Sequence, residues 1–415
     1  MNPNALEVYL YGNFIGHLIN QGPIDWRWQP ATETPPAADA AWSLNNLTST
    51  SIKSEAVCAW FRALLPEAGV SARLALKAGL SPGNDFALLA GLGEDCPGAL
   101  CLRQSGRATS AVACDAPLAS DEIRQLLRQL RDGQYGPALG KALWPGDGAV
   151  LPLIERGNAL ALATPGHPST VLLRATRYGL TDAPANEGFC MQLAEALGLP
   201  VVPTRWSAAH GGFLLVGRPD CVADGGGGLV RRQIETFGQL AGLGPEQAFE
   251  REGGLALRDC AMLIRRYSMV PALDLRALLR WVGLCLLCGN GLATGNSLRF
   301  LFTPSGPRLA PFAEMVASHV YPEMSERLGF YIGREDRPDW LLPARWRELA
   351  EEIGVGPRYL LSLLRELALA TGPALVAVKQ SWQSGHGWSA VLENVAALIE
   401  KRARQLWVAL EAEQI

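Results

Sequence analysis

The chain changes its hydrophobic period once, near residue 232, and that change limits what it can fold into. Before it, short runs rich in β-branched and aromatic residues alternate with a few helical stretches. After it, apolar residues recur mainly at the helical spacing. Strands first and helices later is α+β order, and a two-lobed kinase is one fold with that order. The opening run "VYLYGNFIGHL" (residues 8–18) sets two β-rich stretches around Gly12 and Asn13, the pattern of a hairpin. Residues 28–50 are rich in Pro, Ala and Thr and predict a loop, with room for one short strand. Residues 54–67 predict a Ser-capped helix stopped at Pro66. Residues 83–102 predict a capped helix, a Gly-rich loop and a strand. Residues 119–130 predict a helix with acids in its first turn and bases later, as the helix dipole favours. The Gly- and Pro-rich stretch 132–148 marks a boundary. Strands follow at 149–165, 169–177 and 211–220, and a helix begins at 186 and stops at Gly-Leu-Pro. The clearest late helices are 274–288, 344–353, 358–370 and 389–411. The last sets Val391, Val395, Leu398, Ile399 and Leu406 on one face.

A length of 415 residues allows two or three domains with real cores. The boundaries fall at 1–135 for an N-terminal subdomain, 136–220 for a β-rich lobe and 221–415 for a helical lobe. Charged residues at 19% beside 48% hydrophobic suit an ordinary globular protein. A net charge of -3 gives no case for a nucleic-acid surface over the whole chain. The start, "MNPNALEVYLYG", lacks the basic and apolar regions of a signal peptide. The run 281–289 is too short to span a bilayer, so a cytoplasmic location and no membrane contact are expected. Nine scattered cysteines, an odd number, suit reduced buried thiols. Cys285 and Cys288 form a CxxC, readable as a redox or metal pair or as two small apolar residues on a buried helix. The five histidines never stand at metal-ligand spacing, so no zinc site is expected.

The stretch "GNGLATGNS" (residues 289–297) has the glycines of a phosphate loop but not their spacing. Five residues separate Gly289 from Gly295, and Asn296 stands where a P-loop lysine would be. It also follows a helical run, where a P-loop follows a strand. The Gly-rich 224–228 has no Gly-Lys-Ser and no helix cap after it, and reads as a plain loop.

Several ordered blocks resemble the HipA family, the serine/threonine kinase toxins of bacterial type II toxin–antitoxin systems. They are the opening hairpin, "AWFRALLPEAGVSARLALKAGLSPGNDFALLAGLGEDCPGAL" (59–100), "ANEGFCMQLAEALGLPVVP" (185–203), "VGRPD" (216–220), "CGNGLATGNSLRFLF" (288–302) and "PRLAPFAEMVAS" (307–318). They span nearly the whole chain. The resemblance implies a HipA-like two-lobed, protein-kinase-like α+β fold. It also makes 289–297 the catalytic loop, followed by a metal-binding strand.

Phosphoryl transfer needs a carboxylate for the substrate hydroxyl, a lysine on the phosphates, and an Asn and an Asp on magnesium. The resemblance carries the family's base onto Leu292. It carries the loop's His and Lys onto Thr294 and Asn296, and its magnesium-binding Asn onto Ser297, or onto Asn296 if the loop is one residue shorter. The second metal ligand falls on Glu314, and the phosphate-gripping lysine on Arg174. Of the phosphate loop, at 143–154, only Gly146 survives; the family's phosphorylatable Ser is gone. In the hinge, Arg218 and Asp220 remain. Glu187 is retained, either as a partner for Arg174 or as a cap on its own helix. The nucleotide-site candidates are therefore Gly146, Arg174, Glu187 and Asp220. The metal candidates are Asn296, Ser297 and Glu314.

So many changes imply a pseudokinase that acts by binding protein, with weak or no nucleotide binding. The Leu292 side chain is then expected to pack on the helical lobe. The alternative is an active serine/threonine kinase that uses ATP and Mg2+ through Asn296 and Glu314. The resemblance also implies a HipB-like helix-turn-helix antitoxin as partner, with DNA reached only through it.

Overall fold

The computed structural model of the chain describes residues 4–31, 54–106, 116–134, 144–145, 149–164, 167–176, 179–223 and 229–412. Its first sheet has the order β3-β2-β1-β4, from β1 (Ala5–Leu10), β2 (Asn13–Gly22), β3 (Asp25–Pro30) and β4 (Leu100–Gln104). Leu10 pairs with Asn13, so the hairpin turn falls on Tyr11 and Gly12, one residue before the expected Gly-Asn. Tyr11 and Gly12 have φ of 52° and 77°. Two positive φ values are what a tight two-residue hairpin loop needs, and Asn13 is left to join the ladder.

Alternation along β1 buries Leu6, Val8 and Leu10 on one face. Helices α1 (Ser54–Arg62), α2 (Ala68–Lys77) and α3 (Asp85–Leu92) follow. Helix α1 ends earlier than the predicted stop at Pro66, and α2 lies outside the expected elements. Phe61 meets Trp28 of β3, with ring centroids 6.1 Å apart. Phe86 of α3 meets Trp26 edge-on at 5.4 Å. The Asn84 side chain accepts the Ala87 N–H at 3.2 Å and starts α3. Helix α4 (Ser120–Arg131) begins where Glu122 accepts the Ala119 N–H.

A second sheet runs β6-β5-β7-β9, from β5 (Val150–Arg156), β6 (Ala159–Leu162), β7 (Val171–Ala175) and β9 (Phe213–Gly217); β8 is Thr204–Ser207. Its middle strands are near-continuous apolar runs, buried at Leu151, Leu153, Leu172 and Leu173. Short strands β10 (Cys221–Ala223), β11 (Leu229–Arg231) and β12 (Ile234–Thr236) follow. Strands β13 (Arg299–Thr303) and β14 (Gly306–Leu309) come late. The remaining helices are α5 (Ala183–Ala196), α6 (Phe237–Ala241), α7 (Leu257–Tyr267), α8 (Pro271–Cys288), α9 (Pro343–Glu352), α10 (Pro357–Gly385) and α11 (Ala390–Glu411).

The chain divides into two compact units. One holds Met1–Tyr178, Leu215–Pro245 and Leu301–Gly306; the other holds Gly179–Leu214, Glu246–Phe300 and Pro307–Ile415. This differs from a cut at residue 220. Helix α5 joins the helical unit because Phe189 packs edge-on against Trp382 and Trp388. The fit is close: a Cβ on Gly188 would lie 3.1 Å from the Trp382 ring. The segment after 220 joins the β-rich unit because Arg231 bonds to the backbone at Cys96 and Gly98.

Helix α10 has 29 residues and runs past the expected end at 370, through Gly372 and Pro373. Thr371 helps by donating its hydroxyl to the Leu367 carbonyl at 2.7 Å. Pro373 lies on the exposed side, beside exposed Leu369. Part of α10 is apolar enough, by composition and length, to cross a membrane. Its apolar stripe, with Leu360, Leu364, Leu367 and Trp382, is buried within the unit. Gly283 of α8 lets Leu364 and Leu367 come close.

A Cβ at Gly372 would meet nothing within 4 Å. Gly372→Ala is therefore expected to stabilise the protein by about 0.5–1 kcal/mol through helix propensity alone. Urea denaturation measures this, and no gain would mean that the glycine provides needed bend at Pro373.

Candidate functional site

The loop after α8 is shaped by its backbone. Gly289 ends the helix in the left-handed region at φ 71°, and the Asn290 N–H returns to the Cys285 carbonyl at 2.9 Å. Four bonds then fasten the loop to residues 314–319 of the same unit. The Gly291 N–H donates to Ser318 Oγ at 2.9 Å, and Ser318 Oγ donates to the Gly289 carbonyl at 3.1 Å. The His319 N–H reaches the Gly289 carbonyl at 3.2 Å. Asn290 Nδ2 donates to the Glu314 carbonyl at 3.1 Å. The approach leaves no room for a side chain at 291, where a Cβ would lie 2.5 Å from the Arg327 carbonyl.

Pinning Gly291 and Ala293 inward turns Leu292 outward. Asn290 and Ala293 are 1% and 2% exposed, while Leu292 is 43% exposed. The expectation that Leu292 packs on the helical lobe is therefore wrong. A tight loop with both neighbours buried has no inward direction left for it. The following 3-10 turn, Gly295–Ser297, is knit from its own polar groups. Thr294 Oγ accepts the Asn296 N–H at 3.2 Å, and Ser297 Oγ accepts the Thr294 N–H at 3.1 Å.

Three metal candidates share this unit. Asn296 and Ser297 are half-buried on that turn. Glu314 has φ 61°, a left-handed conformation unusual for a residue with a side chain. Its carboxylate faces the Arg299 guanidinium at 3.5 Å. Asn290 Oδ1, buried and without a hydrogen-bond partner among the described residues, adds one more oxygen. Magnesium favours one or two carboxylates within an octahedral shell. Here one carboxylate is present and it already faces a cation, so the donor set fits magnesium poorly.

Helix α5 supplies Glu187 and, one residue before it, a group not singled out from sequence. Asn186 is fully buried. Its Oδ1 accepts the Ala317 N–H at 2.9 Å, and its Nδ2 donates to the Ala317 carbonyl at 3.1 Å. It ties α5 to the segment that holds the loop. Asn186 sits directly before Glu187 in the sequence, a buried amide beside a charge. Glu187 is buried and lies a turn inside a helix that starts at Ala183, so the reading of it as a cap is corrected.

In the β-rich unit, Arg174 stands on β7 opposite Val150 and is half-buried. Gly146 lies outside the described residues. Asp220 is fully buried and committed to its own unit. Its carboxylate takes two bonds from Arg218, at 2.9 and 2.6 Å, and the Gly98 N–H at 2.6 Å. Arg218 also reaches Asp95 at 3.2 Å and Ser169 Oγ at 2.6 Å, and lies over the Trp144 ring at 4.6 Å. Arg231 pairs with the same Asp95. Burial opposes ionisation of Asp220, yet Arg218 holds its carboxyl below the usual range. Its place is a structural ion cluster, not a surface that a nucleotide could reach.

His319 also supports the loop. Its Nδ1 accepts from Arg402 of α11 at 3.0 Å, and its Nε2–H donates to the Arg327 carbonyl at 3.3 Å, which fixes the neutral tautomer. Burial, then the Arg402 charge, hold its pKa down to about 4. Cys285 and Cys288 are buried free thiols, and burial pushes Cys285 well up, as expected of inert thiols. Among the described residues no three His, Cys, Asp or Glu side chains stand together as a metal group.

Residues 151–375 match the HipA-like C-terminal domain, and residues 6–103 match the HipA N-terminal domain. The chain is 32% identical over 356 residues to the Sinorhizobium fredii protein named "Putative kinase Y4mE", covering 83% of this chain and 84% of that one. It is 25% identical over 337 residues to the serine/threonine-protein kinase toxin HipA of Shewanella oneidensis, covering 76% and 75%. A solved structure of the Shewanella oneidensis HipA, HipB and operator DNA complex contains a chain of the same fold. The TM-score is 0.78 at 22% identity, over 98% of this chain and 97% of that one.

Asp220→Asn leaves Arg218 buried without its main counter-charge. It is expected to cost about 3–5 kcal/mol in chemical denaturation; a loss below 1 kcal/mol would remove the cluster from its structural role. His319 gives a pH effect. Its folded pKa lies below the unfolded value, so its stabilisation is present above about pH 6.5 and is lost as pH falls towards 4. Glu250 acts oppositely: burial raises it to about 6, so its contribution is lost as pH rises from about 4.5 to 6. The measurement is therefore the stability difference between the native chain and His319→Gln. That difference should shrink by roughly 2 kcal/mol between pH 7 and 4, allowing for the ring's partial exposure.

Proposed function

This chain belongs to the HipA family, and on that premise we propose that its kinase fold serves binding, as a pseudokinase in a toxin–antitoxin or regulatory system. One observation carries the reading. At the position that the family resemblance gives to the catalytic base, the chain presents a 43% exposed leucine. Leucine accepts no proton. The neighbouring side chains cannot substitute for a base, because the Thr294 and Ser297 hydroxyls accept the Asn296 and Thr294 N–H groups and Glu314 faces Arg299. The poor fit of the donor set to magnesium supports the same reading. Arg174 keeps a charge where the family has lysine, but a guanidinium does not reproduce a lysine's point charge.

The Shewanella oneidensis relative is known in a complex with HipB and operator DNA. By that likeness, the partner we infer for this chain is a HipB-like helix-turn-helix protein. A net charge of -3 supports contact with DNA only through that partner. The cytoplasm is the compartment such a complex requires. The competing reading, an active kinase using ATP and Mg2+ through Asn296 and Glu314, finds its support in the left-handed Glu314 backbone. Strained backbone concentrates at functional sites.

A phosphotransfer assay with labelled ATP separates the two. No autophosphorylation and no transfer to a generic protein substrate is the expected result. Leu292→Asp alone is also expected to give none, because base, phosphate grip and metal act as a unit. Its stability should stay within about 0.5 kcal/mol of the native chain, since the side chain is largely exposed. Transfer by the native chain that Glu314→Ala abolishes would establish the active-kinase reading instead.

A further inference from the structure

The helical unit carries a cavity of about 300 Å³ between the C-terminal end of α5, the first turns of α8 and strand β14. Three arginines line it, Arg276, Arg280 and Arg308, with one acid, Asp274. Asp274 is buried and already neutralised. It accepts Ser268 Oγ at 2.6 Å and the Leu309 N–H at 2.9 Å, and it pairs with Arg308 at 3.1 Å. Arg276 and Arg280 have no carboxylate within ion-pair distance among the described residues. Arg280 is held in place by the Leu197 and Gly198 carbonyls at the end of α5. Two positive charges therefore share one concave wall, neither paired to a carboxylate among the described residues.

We propose that this cavity binds a phosphate ester, a small molecule that carries a phosphoryl dianion. The charge balance selects the anion. With Arg308 spent on Asp274, two guanidiniums remain, which matches a dianion rather than a single carboxylate. Guanidinium forks suit tetrahedral phosphate oxygens, and such charge-assisted bonds are the stronger class. Burial, then the neighbouring Arg276 charge, lower the pKa of Arg280, and a bound dianion would relieve that repulsion. Glu366 opposes the effect, ranking below Arg276. The size selects the body. About 300 Å³ lies at the lower end for small-molecule sites and exceeds what a bare phosphate fills. Leu199, Pro200 and Pro311 give an apolar wall for a carbon skeleton. The site lies within one unit, away from the loop at 289–297, and stands whether or not the chain transfers phosphate.

Isothermal calorimetry on the full chain at about 0.1 M salt tests this, with phenyl phosphate as probe and inorganic phosphate and benzoate as comparisons. Phenyl phosphate should bind most tightly, inorganic phosphate less so and benzoate least. Arg276 is exposed, so Arg276→Gln should fold normally and weaken phenyl phosphate by about tenfold or more, the worth of one charge-assisted hydrogen bond. Arg276→Glu should abolish binding. Benzoate binding as well as phenyl phosphate would overturn the assignment to phosphate. Binding that Arg276→Gln leaves unchanged, or that only Arg174→Gln removes, would overturn the site. So would the absence of saturable binding.

Discussion

The Asn290 amide and the Ser318 hydroxyl hold the segment on which every reading of this protein turns. Between them they bond to the backbone of residues 289, 291 and 314. Each of these backbone groups is buried or partly buried, and an unpaired one would carry a desolvation penalty of about 1–3 kcal/mol. These bonds shape the loop whatever side chain stands at 292 or 296. Arg402 adds a brace from α11 by donating to the Leu286 carbonyl and to His319. The neutral His319 ring in turn sits against Gly291, and Arg402 against Gly289, where no side chain could fit.

This separates the parts that keep a fold from the parts that do chemistry. Backbone pins need amides, hydroxyls and glycines, and those are present. Phosphoryl transfer needs a carboxylate at the hydroxyl and a clamp on metal and phosphate. On the proposed reading, Leu292, Ser297 and an arginine-facing Glu314 stand at those positions. The same division holds in the β-rich unit. Asp220 and Arg218 survive in the hinge motif, and both are buried in a cluster with Asp95, Ser169 and Arg231. Breaking that buried ion pair would be costly, so the cluster's structural role needs no ligand to account for it.

The sequence made the architecture legible because periodicity and caps are local. Alternation in 5–10, acids at the start of α4 and the apolar face of α11 each depend on a few neighbouring residues. The misses depend on distant ones. Helix α10 runs through Gly372 and Pro373 because its buried stripe resumes at Leu375, Val378 and Trp382, which local propensity does not weigh. Helix α5 belongs with the helical unit because two tryptophans nearly 200 residues later meet Phe189. In the site, residue type alone does not tell that Leu292 points outward, that Glu187 lies inside its helix or that Asp220 is buried in an ion cluster. A motif gives the residue type at a position, not its direction, its place in the helix or whether its charge is already spent. Asn186 and Ser318 carry no sequence signal for the same reason, since a buried hydrogen-bonding residue has no periodic signature.

Glu314 shows where the two demands still meet. A left-handed backbone on a residue with a Cβ costs of order 1–3 kcal/mol and persists only where the surroundings impose it. Here they do, because the Glu314 carbonyl must face the Asn290 amide while Phe312 and Met315 on either side are buried. The Glu314 side chain is then turned towards Arg299 and solvent, about 30% exposed. The backbone thus presents a carboxylate, and Arg299 faces its charge. The strain belongs to the scaffold that also holds the loop, whether or not the carboxylate serves chemistry.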